Sequence, residues 1–206
     1  MTMLRSMLVV LVFVALGIAH GEVREIAPGL FEAGIPTGSF EFVRAQSPTG
    51  GWQRMQNWCW AASIEMVLRF HGVQVRQDEI ACQVFGCNVD MPATAEHIVW
   101  ALNGWRIDGS GLRFAVAADP YVASGWQLIE NLAYRWPLIV GLRGEPVGHA
   151  YVLTAVRYSV DAWGRPVFHP VVLRDPWPGS QSRQEWSWAA FESRLMFMAR
   201  VRAWPA

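Results

Sequence analysis

The sequence predicts an α+β fold of two lobes, with helices in the first half of the chain and an antiparallel sheet in the second. Three observations predict it. Apolar residues recur at helical spacing between residues 57 and 135. From Leu138 onward the pattern changes to β-branched and apolar runs broken by turn residues. The 206 residues are 52% apolar and 17% charged, enough for one packed core and unlike a disordered chain.

The elements follow in order. Residues 1–21 read as a signal peptide: Arg5, then an apolar run from Met7 to Ile18, then the small residues Ala19 and Gly21. The run is shorter than the roughly 20 residues of a membrane-spanning helix, and no later segment is long and apolar enough to span. The expected mature chain begins near Glu22 and works outside the cytoplasm, secreted or periplasmic. Residues 22–50 are rich in Pro and Gly and read as an N-terminal arm or a short pro-segment, with a short strand at Ser39 to Val43. Residues 51–206 form the main domain. Its first helix spans Asn57 to His71, with Trp60, Ile64, Val67, Leu68 and His71 on one stripe, Asn57 as cap and Gly72 as stop. At its end His71 can complement the helix dipole. Glu65 and Arg69 add an i,i+4 pair. Further helices cover Gln77–Phe85, Ala95–Leu102 and Gly125–Arg135, the last with capping-box spacing at Ser124 and Gln127. Strands then cover Leu138–Leu142, His149–Tyr158 and Val167–Leu173, with a hairpin turn at Asp161–Gly164. A helical piece near Trp186–Arg194 and a closing strand, Phe197–Trp204, complete the domain. Glu185, Trp186 and Trp188 follow Asp175 and read as a surface helix, with lining of the cleft as the alternative.

Seventeen basic residues, all of them Arg, balance 17 acidic ones. A neutral chain offers no electrostatic case for nucleic acid or an anionic membrane as main partner. The three cysteines lack the paired spacing of a metal site. In an oxidising compartment Cys82 and Cys87, five apart with Gly86 allowing a bend, are the expected disulfide. Closing so small a loop contributes about 2 kcal/mol. Cys59 is left over, as a free thiol or an intermolecular bridge.

Cys59 falls in the first turn of the expected helix. The unpaired N–H groups and the positive end of the dipole there favour a thiolate over a thiol. A thiolate so placed is an activated nucleophile. Gly148-His149-Ala150 opens a strand, and its small neighbours allow close approach to the imidazole. Asp175 ends the next strand. The two residues are equidistant from position 162, inside the turn, so an undistorted hairpin sets them opposite each other. Pro170 is a place for a bulge that shifts this register. A carboxylate there can orient the imidazole. Gln53 and Gln56 precede the cysteine, and either amide can serve as an oxyanion donor. His169, mid-strand, approaches the site only if the register differs. His97 has no partner of suitable spacing.

The run Gln53-Arg54-Met55-Gln56-Asn57-Trp58-Cys59-Trp60-Ala61-Ala62, followed by Gly148-His149 and Arg174-Asp175-Pro176, resembles the papain-like cysteine peptidases. The similarity covers roughly residues 50 to 195. It is closest to bacterial branches: the avirulence-type proteases of plant-associated bacteria, the staphopains and the bacteriocin-processing peptidases. The resemblance implies a papain-like two-lobed fold, with the nucleophile helix in an N-terminal helical lobe and a C-terminal antiparallel sheet lobe. It implies Cys59 as nucleophile, His149 as base, Asp175 as the orienting residue, and Gln53, six residues before the cysteine, as the oxyanion donor. Papain itself has asparagine where this chain has Asp175. The long interval between His149 and Asp175 argues against the bacteriocin-processing subgroup. The implied reaction is peptide-bond hydrolysis on a peptide or protein substrate, without metal or cofactor. An amidase acting on cell-wall peptide would use the same residues. A non-catalytic papain-like binding protein is the third reading, and the intact set of four residues speaks against it.

Overall fold

The computed structural model describes residues 22–87, 89–103, 105–121, 125–144 and 148–206. The expected signal peptide and the capping Ser124 lie outside the described residues. Among the described residues, no helix is long and apolar enough to cross a membrane.

The fold is α+β, and every strand pair is antiparallel. A hairpin of β1 (Val23–Ala27) and β2 (Leu30–Gly34) comes first, then α1 (Thr37–Ala45). The helical layer follows as α2 (Cys59–Phe70), α3 (Gln77–Phe85) and α4 (Ala95–Asn103). After β3 (Phe114–Pro120) and α5 (Trp126–Ala133) come the central strands β4 (Leu138–Leu142), β5 (His149–Val160) and β6 (Pro166–Arg174). The chain closes with β7 (Arg183–Trp186), α6 (Trp188–Arg194) and β8 (Leu195–Pro205). The strands form one 8-stranded sheet in the order β1-β2-β5-β4-β8-β3, with β6 joining β5 to β7.

The apolar pattern of β4 explains the layering. All of its residues are buried, as in a strand covered on both faces. Ile139 packs into a cluster with Trp60, Ile64, Leu68 and Ile98 under the helical layer. Its alternate neighbours Leu138, Val140 and Leu142 enter a second cluster with Leu128, Leu132 and Phe191 on the other face.

Residues 39–43 are not a strand but the middle of α1. In a strand Phe40 and Phe42 would share one face. In the helix they diverge, so that Phe40 is buried in the core while Phe42 is 71% exposed. Residues 22–34 supply two strands that weak alternation did not signal, and β3 and β7 are further strands beyond those expected. Trp186 ends β7 instead of starting a helix, which begins at Trp188 with Ser187 accepting from the Ala190 N–H.

Helix α2 begins at Cys59, and Asn57 does not cap it. The Asn57 N–H and amide instead bond to Asp90, at 2.8 and 3.3 Å. The helix ends as expected at Gly72, whose φ of 85° is a left-handed value that glycine adopts without strain. There the N–H groups of Gly72 and Val73 reach back to Arg69 and Leu68, both at 2.9 Å.

Candidate active site

Helix α2 and strand β5 meet through the two residues that begin them. Cys59 is the first residue of α2, where its N–H has no intrahelical acceptor. The tryptophans on either side fix this end of the helix: Trp58 Nε1 donates to Val89 O at 2.9 Å and Trp60 Nε1 to Met91 O at 3.0 Å. A disulfide joins Cys82 to Cys87 just before that segment, and Cys59 is the free cysteine.

His149 opens β5 and faces Cys59 and Asp175 together. Its Nε2 is 2.8 Å from Asp175 Oδ1. That leaves Nδ1 for the Cys59 side chain, which lines the same cavity and raises the His149 pKa. Burial alone would favour the neutral imidazole. The Asp175 carboxylate and the Cys59 sulfur outweigh burial and hold the His149 pKa up at about 9. Asp175 is itself buried, yet its pKa lies below the ordinary carboxylate value. Burial opposes that shift, while hydrogen bonds from His149, Ser180 and the Trp177 N–H more than offset it.

The hairpin expectation needs correction in detail. Val152 opposes Arg174 and Val160 opposes Pro166, so the hairpin centres on Trp163. Continued one step, this register sets Asp175 beside Tyr151, with His149 diagonal to it two residues along the same face. An extra residue at Thr154 in β5 and one around His169 and Pro170 in β6 offset each other. The turn forms as expected, with Asp161 Oδ1 accepting from the Trp163 and Arg165 N–H groups, both at 2.9 Å.

Gln53 is buried and Gln56 is exposed, which separates the two glutamines. The Gln53 N–H donates to Pro176 O at 2.8 Å and ties its loop to the residue after Asp175. Its Nε2 donates to the carbonyls of Met55 and Gln56, at 2.9 and 2.7 Å. Its Oε1 is buried without a partner.

Three more residues, absent from the sequence reading of the site, surround Asp175 and His149. Ser180 Oγ and Gln184 Nε2 both donate to Asp175 Oδ2, at 2.7 Å each. The Tyr151 ring meets the His149 ring edge-on, with centroids 4.6 Å apart. Burial, with the neighbouring Asp175 and Cys59, pushes the Tyr151 phenol up to about 12, so it stays protonated. Arg194 at the end of α6 opposes that shift. The period-two spacing of 149 and 151 was the one available signal for Tyr151. Ser180 and Gln184 lie in a turn and a short strand without a motif. Trp186 is half-buried on the Tyr151 ring, so it borders the site rather than the open surface.

The remaining histidines among the described residues lie elsewhere. His169 Nε2 pairs with Ser159 Oγ at 3.0 Å. His97 packs its ring on Phe85. His71 follows the end of α2, but burial lowers its pKa to about 4, so it stays neutral and adds no charge to the helix end.

A cavity of about 150 Å³ adjoins the pair, lined by Cys59, Trp60, Ala93, Gly148, His149 and Met196. A second hollow, about 310 Å³, is lined by Gln53, Arg54, Gln56, Trp177 and Pro178. A third hollow, about 640 Å³, lies by Phe70 and His71. It adjoins the far end of α2, whose 12 residues put it roughly 16 Å from Cys59.

Residues 45–196 match the family model described as papain-like cysteine protease AvrRpt2. No curated protein matches the chain. Among solved structures, the chain is similar to the peptidase domain of Streptococcus ComA, a bi-functional ABC transporter of a quorum-sensing pathway. That match has 18% identity and a TM-score of 0.51, and covers 75% of this chain and 96% of that one. A double glycine motif protease from an AMS/PCAT transporter, solved with its leader peptide, matches at 15% identity and a TM-score of 0.49, over 75% of this chain and 89% of that one.

Proposed function

Since the chain belongs to the AvrRpt2 papain-like cysteine protease family and is a cysteine-type peptidase, we propose that it is an exported enzyme that cuts peptide bonds with Cys59, His149, Asp175 and Gln53. The observation that carries this reading is the position of His149, bonded through Nε2 to Asp175 and lining one cavity with Cys59. The Cys59 thiolate attacks the scissile carbonyl carbon, and His149, as imidazolium, gives its proton to the leaving amine. Water then adds to the thioester with His149 as base, releasing the acid and restoring the thiol. Asp175 keeps the ring aligned and steadies its charge. The Cys59 N–H and the Gln53 amide hold the oxyanion. For this the Gln53 Nε2 must share or release one of its bonds to the Met55 and Gln56 carbonyls. Export rests on the charged, apolar, small-residue order of residues 1–21, and the Cys82–Cys87 disulfide suits an oxidising compartment.

Alkylation of Cys59 by iodoacetamide at pH 6 tests the chemistry. Fast labelling that slows at least tenfold in His149→Ala is expected, because the thiolate there depends on its imidazolium partner. Slow labelling, unchanged by the substitution, sinks the proposal. Parallel digests of casein and of cell-wall peptide then assign the substrate class.

A further inference from the structure

The N-terminal segment bears on Asp175 from behind. Arg174, the residue before it, is fully buried. Its Nη1 donates to Glu41 Oε1 at 2.9 Å and its Nη2 to Thr37 Oγ1 at 3.3 Å, and the guanidinium lies 5.4 Å from the Phe40 ring centroid. All three partners belong to α1. The segment that clamps Asp175 from the other side leans on the same helix. Ser182 accepts the Asp175 N–H with its carbonyl at 2.7 Å and donates its hydroxyl to Glu41 at 3.3 Å. Arg183 Nε donates to Thr37 Oγ1 at 3.2 Å. Flanking Ser182 and Arg183 in the chain stand the two donors to Asp175 Oδ2, Ser180 and Gln184. Farther out, Arg157 bridges Glu32 of β2 and Glu185 of β7, at 3.0 and 2.8 Å.

These residues are also built into the core. Strand β2 pairs with β5 from Phe31↔Tyr158 to Gly34↔Ala155, and the Ile35 N–H donates to Thr154 O at 2.9 Å. Ile35 and Phe40 are buried in the cluster that contains Trp60 and Ile64. Among the residues lining the cavity beside Cys59, none comes from positions 22–50. A segment that inhibits and then leaves would cover the nucleophile and be dispensable to the sheet. This one has the opposite placement.

We propose that residues 23–45 are a permanent part of the working enzyme, in which Thr37 and Glu41 position Asp175 through Arg174, Ser182 and Arg183, so that maturation ends ahead of Val23. The proposal rests on the catalytic reading of Asp175 and His149. Two measurements on the full exported protein test it. First, the form labelled at Cys59 by iodoacetamide is sized by intact mass. It should begin at or before Val23, and a labelled form beginning after Ala45 overturns the proposal. Second, the His149 imidazole is titrated by NMR, its resonance assigned through its loss in His149→Gln. The charged or titratable groups around the ring are Asp175, Cys59 and Tyr151, with Arg194 beyond. In Glu41→Gln, and in Thr37→Val if the first is unstable, a loosened Asp175 should lower the titration midpoint by about one pH unit. Glu41→Asp should restore most of it. A melting temperature that falls while the midpoint stays fixed reveals a merely structural contact and overturns the proposal. The titration reads the ring whether or not peptide is cut, so failed hydrolysis in the unaltered protein counts against the proposed reaction alone.

Discussion

At the scale of single residues, burial and partners compete over one proton. His149 is buried enough to prefer neutrality, yet Asp175 and Cys59 carry its pKa to about 9. Asp175→Asn removes the charge but keeps the shape. Peptide hydrolysis should then fall between about 100- and 10,000-fold, the span of a general acid–base contribution. The donors to Asp175 Oδ2 act more weakly. Gln184→Leu removes one hydrogen bond to a carboxylate, roughly 1.5 kcal/mol, and should cost about tenfold in kcat/KM. A pH–rate profile of both variants checks the pair of expectations, with the larger loss falling on Asp175. Cys59, His149 and Asp175 were legible in the sequence because each stands at the boundary of a regular element. Ser180 and Gln184 were not, because a hydrogen bond across a turn leaves no periodic trace.

At the scale of elements, α2 carries more than Cys59. Glu65, two turns along, is buried, and accepts from Ser47 Oγ at 2.7 Å and from Gln77 Nε2 at 2.8 Å. Gln77 reaches on to Trp52 O and, through Oε1, accepts the Arg54 N–H. The helix thus holds the loop that contains Gln53. Glu65→Ala removes two buried hydrogen bonds and the carboxylate facing Arg69, and should destabilise the protein by about 3 kcal/mol, measured by urea unfolding. It should also lower kcat by loosening Gln53. The helix itself was readable from its stripe and from Gly72, and β4 to β6 from their β-branched runs. The edge strands β1 and β3 were unreadable, since β1 is exposed along its whole length and β3 exposes much of both faces. Residues 39–43 misled because two phenylalanines at alternate positions mimic a strand, and only the surrounding core decides which of them is buried.

At the scale of the molecule, the site's electrostatics enter the stability of the fold. The His149 pKa is about 9 in the folded chain against 6.5 for the free side chain. A raised pKa stabilises the fold fully below pH 6.5, and that contribution drains away as pH rises through 9. The difference is of the order of 3 kcal/mol. Unfolding free energies measured from pH 6 to 9.5 should decline by about that much in the native protein and by much less in His149→Gln. The sheet order has a temporal meaning as well. β8, residues 195–205, lies between β4 and β3, and β3 pairs with nothing else in the sheet. Met196 of this strand also lines the cavity beside Cys59. Until residues 195–205 have been synthesised, the central strand has an open flank and the cleft lacks a wall. Cys59, the proposed nucleophile, is made early in translation, but its cleft is complete only after the closing strand arrives, so a ribosome-bound chain carries a protease that cannot yet bite.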